Sequence, residues 1–152
     1  MLRERLTAEM KEAMKAGEKQ KLSTVRMIQA ALKDKDIEAR GHGKSQLADD
    51  EILALLQKMI KQRQEAAGVY EQGGRPELAE TERAEAQVIQ AFLPQQMDEA
   101  ETRTAIMDAI AETGAAGPKD MGKVIAALKA KYAGRMDFGR ASGVVKDALA
   151  GK

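Results

Sequence analysis

ETGAAGPKDMGKVIAALKAKYAGRMDFGRASGVVKDAL, running from Glu112 to Leu149, reads as two short helices joined by a tight glycine turn. Gly117-Pro118 opens the first, because proline at the first helical position gives up an N–H that has no partner there anyway. Val124, Ile125, Leu128 and Tyr132 then recur at helical spacing. Gly134 stops the helix, since glycine tolerates the left-handed cap. Asp137 is placed to cap the next helix, whose apolar side is Ala141, Val144, Val145, Ala148 and Leu149.

Composition extends this helical reading to the whole chain. Hydrophobic residues make up 43% of the 152 positions, enough for a real core, but aromatics are only 3%. Tyr70, Phe92, Tyr132 and Phe138 are the aromatic residues, so the core must come from Leu, Ile, Val, Ala and Met. Strong helix formers dominate and proline is rare, which predicts an all-α protein. The absence of cysteine excludes disulfides, thiolate metal sites and a cysteine nucleophile, and fits a reducing compartment. The longest aliphatic run, Ile52 to Leu56, is far short of the ~20 residues of a membrane span. The N-terminus is charged and has no signal-peptide core. A cytoplasmic protein with no membrane partner is expected.

Taken in order, the chain divides into helices separated by clear stops. The first helix spans about Leu2 to Ala16, with Leu2, Leu6, Met10, Ala13 and Met14 as its stripe and Gly17 as its stop. The second runs from about Lys19 to Arg40, with Leu22, Val25, Ile28, Gln29 and Leu32 inward. Lys33, Asp34, Lys35 and Asp36 alternate in sign and read as a solvated helix end. Asp49 or Asp50 caps the third helix, which runs to about Gln72 and ends at Gly73-Gly74. Pro76 starts the fourth, whose inward residues are Leu78, Val88, Ile89 and Phe92. Leu93-Pro94 breaks the chain, because Pro94 biases Leu93 away from helix. Asp98 then caps the fifth helix, with Glu101 placed for a capping box, and Gly114 ends it. The expected architecture is an N-terminal helical domain of about four helices over residues 1–94, a linker at 95–97, and a three-helix module over 98–152.

The chain offers little material for bond chemistry. Three serines and one histidine, His42 in a loop, do not make a Ser-His-acid arrangement. No His or Cys cluster offers metal ligands, and no cofactor is expected. Gly43-Lys44-Ser45 matches the end of a phosphate-binding loop, but the first glycine of that motif falls on Glu38 and no strand precedes it. Arg63 on the third helix and Glu85 on the fourth both project toward packed faces, and Arg26 on the second is placed to join them. These three form either a polar site or an ion pair fixing helix register; the second reading is preferred, since buried charges must be paired.

Charge is unevenly distributed. Residues 98–118 carry five acidic residues and one basic, whereas residues 119–152 carry eight basic and three acidic. Such an excess is the footprint of a phosphate-backbone binder, although ordinary solvated lysine faces give the same count. Lys119, Lys123, Lys131, Arg135 and Arg140 are the candidate anion contacts, with Lys119 and Lys123 near a helix N-terminus and Arg135 in a turn, free to point outward. Gly122 reads as a helix-packing glycine or a close-approach point for a ligand, packing being preferred.

The segment Asp120-Met121-Gly122-Lys123-Val124, the turn Gly134-Arg135-Met136-Asp137 and a last helix with paired valines resemble the tail domain of the GatB/YqeY family. The resemblance to the small stand-alone YqeY proteins covers nearly the whole chain, including Arg26-Met27, Leu93-Pro94 and Glu112-Thr113-Gly114-Ala115. The family's usual Gly-Arg-Ala-Asp-Gly turn is here Gly-Arg-Met-Asp-Phe-Gly, with Phe138 after the aspartate. GatB is a subunit of the glutamine-dependent tRNA amidotransferase, a carbon–nitrogen ligase with glutamine as amido-N-donor, whose chemistry lies outside the tail. The resemblance therefore implies a non-catalytic tRNA-binding accessory protein. The alternative is a helical interaction module docking on an amidotransferase or synthetase. Binding through five phosphate contacts would give a slope near about −4 in log K against log salt.

Overall fold

The computed structural model describes residues 1–151. Lys152, one of the eight basic residues of the tail, lies outside them. Among the described residues the fold is all-α, with seven α-helices: α1 (Leu2–Ala16), α2 (Lys19–Gly41), α3 (Asp49–Gln72), α4 (Pro76–Gln90), α5 (Glu99–Thr113), α6 (Met121–Tyr132) and α7 (Phe138–Ala150). The chain divides into two compact units, Met1–Leu93 and the part from Pro94 onward.

In the first unit, α3 and α4 pack against each other most extensively, and α2 lies on α1, α3 and α4. The core is aliphatic: Leu6, Val25, Ile28, Leu32, Ile52, Leu56, Met59, Ile60, Ala86 and Ile89, with Phe92 as its one aromatic. Pro76 occupies the first turn of α4 as expected, and Gly74, at φ +73, supplies the left-handed step between α3 and α4. Arg5 reaches from α1 to the end of α4, donating to the Ala91 carbonyl and lying 5.1 Å from the Phe92 ring centre.

Three expectations for this unit are corrected. Met14 is exposed, not inward. Because α1 packs chiefly on α2, its buried strip is narrow, centred on Leu6 and Ala13. The N-cap of α3 is Ala48, not Asp49 or Asp50. The Leu47 N–H is held by Asp36 Oδ1 at 2.9 Å, which starts the helix one residue early, and Glu51 Oε1 accepts from the Ala48 N–H at 3.2 Å. Finally, Asp36 is not part of a solvated helix end. Its carboxylate meets the Arg3 guanidinium through two 2.8 Å hydrogen bonds, and Arg3 also donates to the Leu47 carbonyl at 3.0 Å. This clasp joins α1, α2 and the connection to α3.

The second unit is a three-helix module in which α5, α6 and α7 pack on one another. Its core holds Ile106, Ile110, Val124, Leu128, Met136, Ala141, Val145 and Leu149. The capping box at Asp98 and Glu101 forms as expected, with the Glu101 N–H on Asp98 Oδ1 at 2.7 Å. Asp137 caps α7 through the N–H groups of Gly139 (3.0 Å) and Arg140 (3.2 Å). Pro118 opens a 3-10 turn, Pro118–Asp120, and α6 begins only at Met121. The Asp120 carboxylate accepts the Ala116 N–H at 2.9 Å, which tightens the chain before the helix. Val144 is exposed, because it lies one step round the helix from the buried Val145. Gly122 is exposed, and a Cβ there would meet nothing within 4 Å, so it serves no helix packing.

The Arg3–Asp36 clasp makes stability acid-sensitive. The Arg3 guanidinium above all holds the Asp36 carboxyl down to about 2, against the opposing effect of burial, with the Leu47 N–H adding a lesser contribution. Because the folded value lies below the ordinary 3.8, the stabilisation is complete above about pH 4 and is lost as pH falls through about 2. Chemical denaturation across that range should show the wild-type chain losing up to about 2 kcal/mol that Asp36→Asn has already lost at neutral pH.

Candidate functional site

The proposed polar cluster of the first unit forms in part. Arg63 Nε lies 3.1 Å from Glu85 Oε2, with the side chains 15% and 20% exposed. The rest of the guanidinium is also engaged: one nitrogen donates to the Met59 carbonyl at 3.1 Å and the other lies 3.8 Å from the Met27 sulfur. All three guanidinium nitrogens are thus engaged, and the arrangement links α3 to α4 and α2. Arg26 does not join it. It is exposed on the far side of α2, one helical step from Met27, because the side facing α3 and α4 is taken by Val25 and Ile28.

Gly43-Lys44-Ser45 follows α2 as an irregular connection, and Lys44 Nζ is bound to Glu51 at 3.2 Å. The lysine that would reach a phosphate is thus turned to a carboxylate. His42 is exposed. Among the described residues no group of three His, Cys, Asp or Glu side chains could hold a metal ion, and no helix is long and apolar enough to cross a membrane.

In the second unit the five cationic candidates separate into two sets. Lys131, at the end of α6, is bound to both carboxylate oxygens of Glu112 on α5, at 2.9 and 3.1 Å. That contact raises the Lys131 ammonium above its ordinary value. Arg135 is also engaged, contrary to the expectation of a free turn residue. Its Nε donates to the Gln95 carbonyl at 3.0 Å, its own carbonyl accepts the Met97 N–H at 2.9 Å, and its guanidinium lies 6.0 Å from the Tyr132 ring centre. Gln96 donates to the carbonyl of Gly134. Residues 95–97, expected as a linker, therefore run along the turn that follows α6. The buried Met136 fills the space under that turn.

Lys119, Lys123 and Arg140 form the other set. Lys119 is exposed and makes no ion pair. Lys123 stands 3.9 Å from Asp120 and remains 67% exposed, and Arg140 stands 4.0 Å from Asp137 and remains 91% exposed. Such loose surface pairs are worth about 0–1 kcal/mol and break readily. The connection from α6 to α7 is short, so the two form an antiparallel hairpin. Lys119 and Lys123 lie at its outer end, and Arg140 beside the turn. The 12 residues of α6 separate the two ends by about 18 Å. Two cations not singled out in the sequence are also exposed: Lys146, and Lys129, which lies 5.9 Å from the Phe138 ring centre. The charge count already included both, but nothing in their spacing distinguished them.

The model of the family described as Yqey-like protein matches residues 3–149 of the chain. Among curated proteins, the chain is similar to "Altered inheritance of mitochondria protein 41, mitochondrial" from two fungi. The Eremothecium gossypii protein is 32% identical over 88 residues, 58% of this chain and 46% of that protein. The Pyrenophora tritici-repentis protein is 33% identical over the same length and shares of the two chains. The chain thus spans about half the length of the curated relatives it matches.

If the Arg63–Glu85 pair sets helix register, Arg63→Leu alone should lower unfolding free energy by about 2 kcal/mol, because it strands a half-buried carboxylate. Adding Glu85→Leu should recover part of that loss. Denaturant titration of the two single variants and the double variant measures the coupling.

Proposed function

The chain belongs to the YqeY-like family, and from that premise we propose that it is a non-catalytic accessory protein that binds tRNA through its second unit. The observation that carries the reading is the cation excess of residues 119–152, in the stretch that resembles the tail of the tRNA amidotransferase. Lys119, Lys123 and Arg140 are its contacts. Lys131 and Arg135 are withdrawn from the set, since Glu112 and the Gln95 carbonyl hold them.

The separation of Lys119 and Lys123 from Arg140 suits an extended polyanion better than a small anion. A sugar–phosphate backbone presents a charge at every step, so the three cations need not converge. Loose carboxylate partners at Asp120 and Asp137 favour exchange: phosphate replaces a surface pair worth about 1 kcal/mol or less. The scarcity of aromatic side chains argues for recognition of a folded RNA by shape and backbone rather than by base stacking. No step of amide transfer is assigned to this chain, and any ligase role would be exercised within a complex. A cytoplasmic location stays part of the proposal, resting on a cysteine-free chain suited to a reducing compartment, whereas both fungal relatives are named as mitochondrial.

Filter binding of tRNA at several salt concentrations tests the reading. Three phosphate contacts predict a slope of about −2 to −3 in log K against log salt. Lys123→Glu and Arg140→Glu should each weaken retention severalfold, while Lys131→Gln should leave it nearly unchanged. Retention that is absent, or indifferent to salt and to both charge reversals, overturns the proposal in favour of docking on a protein partner.

A further inference from the structure

The outward face of α2 carries a regular row of cations that nothing in the structure uses. Lys19, Arg26 and Lys33 are each exposed, each outside any ion pair, and seven residues apart. Elsewhere in the first unit, carboxylates hold Arg3, Lys21, Lys44, Arg63 and Arg83, while Lys11, Lys15, Lys58 and Lys61 are exposed and, among the described residues, outside any ion pair, without forming such a row. Seven residues of helix rise about 10.5 Å and return within about 20° of the same line. Beside this row runs a shallow groove of about 510 Å³, lined by Lys19, Leu22, Ser23, Arg26, Met27 and Ala30. Its surface is mainly apolar despite the cations at its rim.

The complementary surface lies on α5. Its outward side carries Met107, 56% exposed, between Thr104 and Ala111, which are also exposed. Glu101 and Asp108 border this strip, exposed and again seven residues apart; Glu101 also accepts the Asp98 N–H at 3.3 Å, and Arg103, one turn before Met107, is paired with Glu99 at 2.9 Å. Glu112, which would continue the acidic edge, is taken by Lys131. Two helices whose opposite charges repeat at the same interval, each with an apolar strip beside the charges, fit a coiled-coil-like crossing in which a methionine seats against Leu22, Met27 and Ala30.

We propose that α2 of one copy of this chain packs against α5 of a second copy, with Arg26 and a flanking cation opposite Asp108 and Glu101 and with Met107 in the α2 groove. A helix is favoured over RNA as the occupant because the seven-residue repeat matches a helix partner and the groove between the cations is apolar. Every copy carries both faces, α2 in the first unit and α5 in the second, so a second copy offers the complement of each.

Sedimentation velocity of the full chain over a wide concentration range reads this directly. The expected result is self-association that weakens as salt is raised. Arg26→Glu and Asp108→Lys, both at exposed positions, should each weaken it about tenfold or more, with unchanged helical circular dichroism. The Arg26→Glu/Asp108→Lys double variant should restore it. A monomer at all concentrations, association indifferent to both substitutions, or failure of the double variant to recover would overturn the proposal. Loss of tRNA retention in Arg26→Glu without any change in association would likewise overturn it and assign α2 to RNA.

Discussion

With almost no aromatic side chains, this protein must close two small cores by bringing helices near one another on aliphatic residues. Ile28, Ile52, Leu56 and Ile89 in the first unit, and Ile106, Ile110, Leu128 and Leu149 in the second, leave virtually no surface exposed. Side chains of this kind pack tightly but specify orientation poorly, because many aliphatic arrangements have similar density. Specification falls to a few polar links at the core margins. Arg63 ties α3 to α4 and α2, and the Arg3–Asp36 clasp ties α1 to α2 and to the start of α3. In the second unit the strap of residues 95–97 along the Gly134–Arg135 turn has the corresponding place.

The same demand for polar links shapes the functional surface. Lys131 and Arg135, two of the basic residues of this stretch, already have partners within the module, the exposed Glu112 carboxylate and the Gln95 carbonyl. What stays available is at the ends of the α6–α7 hairpin. A surface of this form has no cleft and no converging reactive groups. It suits contact with a large, repetitive ligand, which is the reading proposed for the second unit.

Helix limits were legible in the sequence because their causes are local. Gly17, Pro76, Asp98, Gly114 and Asp137 each act within one turn of the helix they start or stop, and each does so as read. The Arg63–Glu85 pair could also be anticipated, since both residues fall on apolar stripes. Local misreadings were small, such as exposed Met14 and Val144 or the cap of α3 at Ala48, and the larger ones concern partners far apart in the chain. Asp36 meets Arg3 across 33 positions, and Arg135 meets Gln95 across 40. No periodicity within a single helix encodes such a meeting. Charge counts have the same limit: they record that residues 119–152 are basic without recording which carboxylates stand opposite them.

The strap along the Gly134–Arg135 turn bears on how the molecule can be divided. A fragment begun at the N-cap Asp98 would keep all three helices of the second unit yet lose the carbonyl of Gln95, the amide of Gln96 and the N–H of Met97. Arg135 would then keep only the Tyr132 ring as its partner, and the Gly134–Arg135 turn would lose its fastening. The lost partners are neutral, so the charge of the module is unchanged, but the Arg135 side chain would be freer to turn toward an anion. Affinity for polyanions measured on it would belong to the cut, and dissection of this protein has to begin upstream of Pro94.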